Sequence, residues 1–308
     1  MHMIHSFMSW CWDKMKNVNS LKPVEIEPLY LFVTGGGGAG KSHLIKTIYH
    51  TAVKIFRHPP INPELPTVLM APTGVAAINI NGTTINTGLA IPKETGDNVP
   101  AMSDQKKTQL RLLLSDLKLK IIDEISMVGN TTLLHIHQRL KDIFGTRSSL
   151  LFAGITIIVV GDLYQLPPIR KRVIFDNYKN DAFNLCYPWK VFKMIELIKI
   201  MRQKDDQPFV ELLNRIRTAT QTEDDIKIIQ SRSISPCDPN YPSDALHIWA
   251  ENAPVHEHNK KKLDELSGSL FILKAKDQYP TNVTKQDIDK VLARGRSETG
   301  GLDYEILT

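Results

Sequence analysis

The sequence predicts an α/β fold in which a parallel sheet is flanked by helices. Short β-branched runs alternate along the chain with stretches of helical periodicity, which is typical of parallel strands joined by helical crossovers. Several of these runs are followed directly by glycine-rich or polar motifs. In open α/β sheets ligands bind beyond the carboxyl ends of the strands, so we expect these motifs to lie together. The predicted strands are Leu29–Val33, Thr67–Met70, Leu119–Ile122, Ile155–Val160 and Ile195–Ile198.

The first strand leads into a loop that matches the phosphate-binding pattern GxxxxGK[ST]. This loop, GGGGAGKS, precedes a predicted helix over Lys41–Arg57. A phosphate chain needs converging backbone N–H donors, which side chains would obstruct, and Gly35–Gly38 and Gly40 can adopt the positive φ angles of such a loop. Lys41 would reach the β and γ phosphates and Ser42 would ligate Mg²⁺. A flexible glycine linker is the alternative, but linkers do not usually end in Gly-Lys-Ser between a strand and an amphipathic helix. The predicted nucleotide-binding residues are Gly35, Gly36, Gly37, Gly38, Ala39, Gly40, Lys41 and Ser42.

The third predicted strand, Leu119–Ile122, is followed by two adjacent acids, Asp123 and Glu124. At a strand tip the first carboxylate is placed to hold a magnesium ion, and the second can polarise a water molecule for attack on the γ phosphate. Two adjacent acids could instead be a charge pair at the start of a helix. Their position downstream of a phosphate loop favours the catalytic interpretation.

Two further motifs follow strand ends. GDLYQLPPI, from Gly161 to Ile169, places Gln165 where a neutral amide could contact a γ phosphate, although a proline-terminated turn with a solvated glutamine is the alternative. APTGVAAINI, from Ala71 to Ile80, offers the Thr73 hydroxyl and the N–H groups at Gly74. These groups suit a nucleic-acid phosphate as well as they suit plain helix capping.

Composition bounds the class of protein. The chain has 308 residues, 42% of them hydrophobic, and a formal net charge of +5, values that are ordinary for a globular protein of one or two domains. No apolar run approaches the length that spans a bilayer, so we expect no membrane association. The three cysteines form no metal-ligand spacing, and we expect no structural zinc. His135, His137, His256 and His258 are predicted to be surface residues, because residues two apart on a helix do not face each other.

The motifs GGGGAGKS, APTGVAAINI, IIDEISMV, GDLYQLPP and IMRQ occur in this order, the last at Ile200–Gln203. In these motifs the chain strongly resembles the Pif-type (petite integration frequency) DNA helicases of superfamily 1, from about Leu29 to its C-terminus. The resemblance implies a RecA-like P-loop NTPase domain followed by an incomplete second RecA-like domain. It also implies hydrolysis of ATP with Mg²⁺ as cofactor and 5′-to-3′ movement on single-stranded DNA. DNA junctions or forks are implied as partners, and repair, recombination and telomere maintenance as pathways.

The resemblance also implies roles for single residues. Lys41 and Ser42 match the ATP and Mg²⁺ residues of the family, and Asp123 and Glu124 match its metal-binding and water-activating acids. Gln165 matches the γ-phosphate contact. Arg202 matches the arginine that approaches the γ phosphate, a kind of group worth on the order of 10³ to 10⁵ in rate in other phosphoryl-transfer enzymes. The residues matching the DNA-binding motifs are Pro72, Thr73, Gly74, Asn86 and Thr87.

Two motifs depart from the family pattern. The family usually has an adenine-reading glutamine ahead of the phosphate loop, whereas no glutamine here precedes Gln105. The family's Thr-x-His-Ser string is replaced by Thr84, Ile85, Asn86 and Thr87. An asparagine can hydrogen-bond to a phosphate or a base but cannot become cationic, which weakens the expectation of DNA contact at this position.

The predicted organisation has three parts: an N-terminal helical segment over 1–28, a motor domain over 29–235 and the opening of a second domain over 244–308. The third part contains the strand-like LHIWA from Leu246, a helix-like stretch over Asn252–Leu266 and the strand-like LFIL from Leu270. No string resembling the late motifs of the family precedes Thr308. We therefore expect a partial chain of a longer motor.

The leading hypothesis is an ATP-dependent DNA helicase, with a monomer favoured. The alternative is a nucleotide-responsive lobe that binds DNA without unwinding it. A P-loop enzyme acting on a small molecule is disfavoured, because GDLYQLPP and APTGVAA have no evident role in such a site. We expect a nuclear protein, with a cytoplasmic location as the alternative. The first arginine is Arg57, which disfavours an arginine-rich mitochondrial leader.

Overall fold

Besides Ser9, the computed structural model describes residues 27–56, 67–92, 99–115, 117–145, 150–176, 187–242 and 244–267, and the backbone of two short strands near the C-terminus. The predicted N-terminal helical segment over 1–28 lies almost entirely outside these residues. The chain divides into two compact units, Met1–Arg232 and Ser233–Thr308. None of the described helices is both long and apolar enough to cross a lipid bilayer.

The first unit is built on a six-stranded sheet in which every pair of neighbouring strands is parallel. The α/β class and all five predicted strands are confirmed, with ends that differ from the prediction by at most two residues. A sixth strand, β3, is only two residues long, too short for a periodicity argument to detect. The strands are β1 (Tyr30–Gly35), β2 (Thr67–Ala71), β3 (Thr83–Thr84), β4 (Leu119–Ile122), β5 (Thr156–Gly161) and β6 (Lys193–Leu197), in the spatial order β3-β2-β4-β5-β1-β6.

Helices connect these strands. The predicted helix after the phosphate loop is confirmed over Lys41–Phe56. Hydroxyl and carboxylate caps satisfy the free N–H groups at several helix starts, with Thr73, Thr84, Ser103 and Asp206 each accepting a bond from the first turn. The α-helices of this unit are α1 (Lys41–Phe56), α2 (Gly74–Asn79), α3 (Ile85–Gly88), α4 (Asp104–Leu113), α5 (Asn130–Ile143), α6 (Gln207–Arg217) and α7 (Glu223–Gln230).

The hydrophobic core lies on both faces of the sheet, because successive side chains of a strand point to opposite faces. In β1, Phe32 belongs to the larger cluster, which includes α5, whereas Leu31 and Val33 belong to the cluster that includes α1 and α2. Burial on both faces explains why these strands read as continuous apolar runs rather than as alternating ones. The sheet therefore holds the strand ends, and the loops that follow them, in fixed positions.

Helix α5 contradicts one prediction from the sequence. His135 is only 1% exposed and His137 is half-buried, although both were predicted to be surface residues. The Nδ1 atom of His137 accepts a hydrogen bond of 3.0 Å from the backbone N–H of Phe152. The prediction was wrong because α5 is covered on more than one side. The segment that covers His137 contains Phe152, which lies 15 positions further along the chain.

The second unit contains helix α8 (Asn252–Asp264) and an antiparallel strand pair, β7 (Ile272–Leu273) and β8 (Ile306–Leu307). The predicted helix and the end of the predicted LFIL strand are confirmed. The predicted strand LHIWA is wrong, since Leu246–Ala250 has no strand conformation. Leu246 and Ile248 are 90% and 88% exposed, so the alternating pattern has no packed face to support it. That this unit opens a second RecA-like domain stays a prediction.

Candidate active site

The phosphate loop connects the end of β1 to the start of α1. Gly38 and Gly40 have φ angles of +81° and +89°, a region that favours glycine. Gly36 and Gly37 do not have positive φ. A Cβ atom on Gly36 would lie 3.2 Å from Cδ1 of Ile200, so this position packs closely against the end of that side chain.

The IMRQ segment packs directly against this loop. The backbone N–H groups of Met201 and Arg202 both donate to the carbonyl of Gly38, at 2.8 and 3.3 Å. A Cβ atom on Gly38 would lie only 2.6 Å from Cβ of Arg202. The structure thus places the exposed Arg202 beside the loop that is expected to hold the phosphates.

Lys41, the first residue of α1, folds back over the loop. Its Nζ atom donates to the carbonyls of Gly35 and Gly36, at 2.7 and 3.1 Å. Burial lowers the pKa of Lys41, and the nearby carboxylates of Asp162, Glu124 and Asp123 oppose this shift. The ammonium group therefore lies within the electrostatic reach of three acids from the ends of two other strands.

Asp123 and Glu124 follow β4 as predicted. The Asp123 backbone N–H donates to the carbonyl of Met70, and the Asp123 side chain is 7% exposed. Burial raises the pKa of this carboxyl group, while a hydrogen bond from the Glu124 N–H to its Oδ1 atom, at 2.9 Å, opposes the shift. Glu124 itself has φ +50° and ψ +48°, a left-handed conformation that is rare for residues other than glycine.

The turn at Glu124 packs closely against Gly161, the last residue of β5. A Cβ atom on Gly161 would lie 2.8 Å from the backbone nitrogen of Ile125. Only a glycine therefore allows the acidic turn after β4 and the GDLYQ motif after β5 to lie so close together. Backbone strain of this kind persists where the surrounding structure enforces it, often at functional sites.

Asp162 is a site residue that the sequence analysis missed, although it stands inside the GDLYQLPP motif. It is fully buried, and it holds the motif together by accepting from the Tyr164 N–H at 3.2 Å and from Gln165 Nε2 at 3.3 Å. The exposed Gln165 thus has its amide turned toward Asp162. The signal in the sequence was the apolar strand before Asp162, since an acid at a buried strand end needs partners.

The partner of Asp162 is Arg217, the last residue of α6, which the sequence analysis also missed. Its Nε and one terminal nitrogen donate to the two carboxylate oxygens, both at 2.7 Å. This two-point contact lowers the pKa of Asp162 against the opposing effect of burial, and it raises the pKa of Arg217. No local pattern marks Arg217, because its partner lies 55 positions away in sequence.

The predicted DNA-binding residues lie beyond β2 and β3. Thr73 accepts from the Ala76 N–H at 3.3 Å, so its hydroxyl caps α2. The Asn86 amide nitrogen donates to the carbonyls of Ile91 and Pro92, at 3.0 and 3.4 Å. Its donor is therefore committed to the protein, and only its carbonyl oxygen is left to accept a bond from a ligand.

Three of the predicted residues, Pro72, Thr73 and Asn86, line a cavity of about 240 Å³. Gly74 and Thr87 do not line it. The cavity walls also include Met127 and Pro168, which follow the Asp-Glu and GDLYQ motifs, so the cavity adjoins both catalytic segments. Thr87 accepts a bond of 2.9 Å from the Thr84 hydroxyl, within the cap of α3.

The arrangement combines a glycine-rich loop, one ammonium group, three carboxylates and two arginines at the same edge of a parallel sheet. Ser42 is exposed at the start of α1 and offers a hydroxyl oxygen, and Asp123 offers a carboxylate. Hard oxygen ligands of this kind suit Mg²⁺, so the residues present fit a magnesium-bound phosphate chain. Chemically the site is suited to transferring a phosphoryl group to water.

Curated relatives support this assignment. The chain is 31% identical over 259 residues to the ATP-dependent DNA helicase RRM3 of Saccharomyces cerevisiae, an alignment that covers 81% of this chain and 33% of the relative. It is 27% identical over 260 residues to the human ATP-dependent DNA helicase PIF1, covering 81% of this chain and 36% of the relative. The chain thus spans about a third of the length of these relatives.

Solved structures give the same result. The fold resembles the Pif1 helicase of Candida albicans with a TM-score of 0.66 and 26% identity, over 93% of this chain and 60% of that one. It resembles a Bacteroides Pif1 in complex with ADP-AlF3 and single-stranded DNA with a TM-score of 0.59 and 28% identity, over 87% of this chain and 60% of that one. The sequence model of PIF1-like helicases matches residues 16–226. The chain therefore belongs to the PIF1-like helicase family.

Proposed function

We propose that this chain is the nucleotide-hydrolysing part of an ATP-dependent DNA helicase, in which hydrolysis of Mg-ATP drives 5′-to-3′ movement on single-stranded DNA and unwinding of duplexes. The observation that carries the proposal is the position of Lys41, bonded to the phosphate loop that Arg202 also contacts and within the electrostatic influence of Asp162, Glu124 and Asp123. The relatives that match the chain are named as ATP-dependent DNA helicases, which supports the same reaction.

Each site residue has a role in this proposal. The backbone of Gly35–Gly40 cradles the phosphates, and Lys41 exchanges its bonds to Gly35 and Gly36 for bonds to the β and γ phosphates. Ser42 and Asp123 would hold Mg²⁺, which supplies positive charge to the phosphate oxygens when bound. Glu124 orients and polarises the attacking water molecule.

Gln165 and Arg202 complete the proposed site. Gln165 exchanges its contact with Asp162 for the γ phosphate, so that its position reports whether a triphosphate is bound. Arg202 neutralises negative charge that develops as the γ-phosphate bond breaks. Its backbone bonds to Gly38 keep it beside the loop throughout.

We propose single-stranded DNA and DNA forks as partners, and Pro72, Thr73, Gly74, Asn86 and Thr87 as contacts. One similar solved structure contains single-stranded DNA and another concerns forked DNA with two coordinating Pif1 helicases. The cavity beside Asn86 adjoins the segments that carry Asp123 and Gln165, so strand contact and hydrolysis have a short physical connection. A nuclear location agrees with action on chromosomal DNA and stays a proposal.

Binding of Mg-ATP to Lys41→Ala, with Lys46→Ala as the control, tests the nucleotide site. Both lysines lie on α1, but Lys46 is exposed on the outer part of the helix. Removing the Lys41 ammonium should weaken ATP binding by at least about 10-fold, the effect of one lost charged hydrogen bond. Isothermal titration calorimetry of the 308-residue chain measures it. Equal affinities for the two variants would contradict the site assignment.

An unwinding assay separates helicase activity from the alternative of a nucleotide-responsive DNA-binding lobe. A forked duplex with a 5′ single-stranded tail is mixed with the 308-residue chain, Mg²⁺ and ATP, and strand separation is followed by fluorescence. Unwinding by this chain excludes the alternative. ATP-dependent binding of single-stranded DNA without unwinding supports it.

A further inference from the structure

Asp162 is the point where the GDLYQ motif, helix α6 and the phosphate loop meet. Its carboxylate is fully buried, and a buried anion is costly unless it is paired and hydrogen-bonded. Four donors satisfy it: two from Arg217, one from the Tyr164 backbone and one from the Gln165 side chain. Removing one of these donors therefore changes how strongly Asp162 holds the others.

The four bonds are unequal. Both bonds from Arg217 measure 2.7 Å and join opposite charges, whereas the bond from Gln165 measures 3.3 Å and comes from a neutral amide. Charge-assisted, two-point contacts are the stronger kind. Arg217 and Gln165 also share one acceptor, the Oδ2 atom. Arg217 thus satisfies most of the charge on Asp162, and the Gln165 amide is held only weakly.

Asp162 also attracts Lys41. Of the three carboxylates that stabilise the Lys41 ammonium group, Asp162 has the largest effect, ahead of Glu124 and Asp123. The same buried carboxylate therefore acts on both groups that we assign to the γ phosphate. Arg217 acts on Lys41 in the opposite direction, so the net attraction that Lys41 feels depends on the Asp162–Arg217 pair as a unit.

Besides Asp162, Arg217 lies against Tyr164 of the GDLYQ motif and close to Gly36 of the phosphate loop. Its guanidinium carbon lies 4.6 Å from the centre of the Tyr164 ring, a cation–π arrangement. A Cβ atom on Gly36, in the phosphate loop, would lie 3.9 Å from Cδ of Arg217. The side chain is 19% exposed, so it is fixed between these segments rather than free in solvent.

We propose that Arg217 is a positioning residue that gives the site its preference for ATP over ADP. By neutralising Asp162, Arg217 leaves Gln165 and Lys41 available to bind a γ phosphate. Without Arg217, Asp162 loses two of its four donors, so the carboxylate holds the Gln165 amide and attracts Lys41 more strongly. The inference rests on the nucleotide site proposed above.

The test compares Arg217→Met with Arg215→Met in the 308-residue chain. Arg215 lies on the same helix and makes the same two-point contact, also at 2.7 Å for both bonds, with a buried carboxylate, that of Asp225. Asp225 belongs to the capping box of α7 rather than to a nucleotide motif. The two variants therefore lose ion pairs of the same geometry, only one of which involves the proposed site, although Arg215 is the more exposed and also lies 4.0 Å from Glu211.

Affinities for ATP and ADP in the presence of Mg²⁺ are measured by isothermal titration calorimetry, and melting temperatures are recorded in parallel. Arg217→Met should weaken ATP binding about 10-fold, the effect of losing contacts from charged groups, while ADP affinity changes by less than about threefold. Arg215→Met should leave the ratio of the two affinities unchanged. The inference is overturned if Arg217→Met loses ATP affinity and ADP affinity equally. It is also overturned if Arg215→Met loses the preference for ATP as much as Arg217→Met does.

The double variant Asp162→Asn/Arg217→Met provides a rescue that does not depend on the stability of Arg217→Met. Replacing the buried anion with a neutral amide removes the charge that would retain Gln165 and Lys41. The double variant should regain an ATP preference within about threefold of the unmodified chain. A folded double variant that still lacks the preference contradicts neutralisation as the cause. If the unmodified chain binds neither ATP nor ADP, the proposed function is contradicted as well. If Arg217→Met binds both nucleotides with the same ATP-to-ADP preference as the unmodified chain, only this inference is contradicted.

Discussion

Lys120, in the middle of β4, is a buried cation whose removal should stabilise the fold. The side chain is fully buried, and its Nζ atom lies 3.4 Å from the Met70 sulfur. No ion pair to Lys120 is found within the part of the chain that the structure describes. Burial lowers its pKa from 10.5 to about 7. The folded state therefore binds this proton more weakly than the unfolded state does, and stability should rise with pH once the folded group begins to lose its proton.

The size of the effect follows from the two pKa values. A shift of one pKa unit corresponds to 1.36 kcal/mol, and Lys120 is half-protonated in the folded state near pH 7, so its contribution to the unfolding free energy should rise by about 2 kcal/mol between pH 7 and pH 9. Below pH 6 both states hold the proton and the contribution is flat. Above pH 10 an opposing effect begins, because burial raises the pKa of Tyr30 to about 12.

The assay is urea denaturation of the unmodified chain and Lys120→Met at several pH values between 6 and 9. The difference in unfolding free energy between them isolates Lys120, since all other groups contribute equally to both. Lys120→Met should be the more stable protein, by an amount that shrinks by about 2 kcal/mol from pH 7 to pH 9. Lys106→Met, at an exposed position on α4, should parallel the unmodified chain. A difference that stays constant over this range would refute the assignment of a buried, readily deprotonated lysine.

Three further predictions concern the phosphate loop, the effect of low pH on stability through His137 of α5, and the binding of single-stranded DNA. Gly38→Ala should cost about 1–3 kcal/mol in urea denaturation, because φ is positive and the new Cβ would meet Arg202, whereas Gly37→Ala meets no atom within 4 Å and should cost less than about 0.5 kcal/mol. Stability should fall as pH decreases from about 6.5 to about 4, by no more than about 3 kcal/mol, because burial lowers the pKa of His137 to about 4 and its protonation breaks the bond from Phe152. Fluorescence anisotropy should show that binding of single-stranded DNA weakens with added salt, with a log–log slope of about −0.7 for each phosphate neutralised.

Controls distinguish these effects from general instability. Equal costs for Gly38→Ala and Gly37→Ala would show that the contact with the IMRQ segment does not constrain the loop. His137→Gln removes the titrating ring, so its stability should change less between pH 6.5 and pH 4 than that of the unmodified chain; matching acid profiles would contradict the role of His137. Affinity for DNA that is independent of salt would argue against contact with the phosphate backbone.

The parts predicted correctly from the sequence are those that depend on local patterns. Buried parallel strands appear in the sequence as apolar runs, so the strands could be predicted. Loops that follow parallel strands lie at the same edge of the sheet, so the edge that carries Lys41, Asp123 and Gln165 could be predicted as well. The failures have a common cause. LHIWA has a strand-like pattern, but no strand pairs with it among the described residues, and His137 lies in a helical pattern that does not reveal its contact with Phe152. In both cases tertiary contacts decided the outcome.

Arg215 and Arg217 are a further case in which local sequence patterns do not reveal the tertiary contacts. In sequence they are alike, two arginines in the last turn of α6, where positive charge is favourable because of the helix dipole. At 3.6 residues per turn, positions two apart point about 200° away from each other. One arginine therefore meets Asp225 of α7, and the other meets Asp162 beside the phosphate loop. The two arginines differ in consequence because Asp162 follows β5, which pairs with the strand that leads into the phosphate loop, whereas Asp225 lies in α7. Comparing the two single variants therefore separates a structural ion pair from one that acts on the nucleotide.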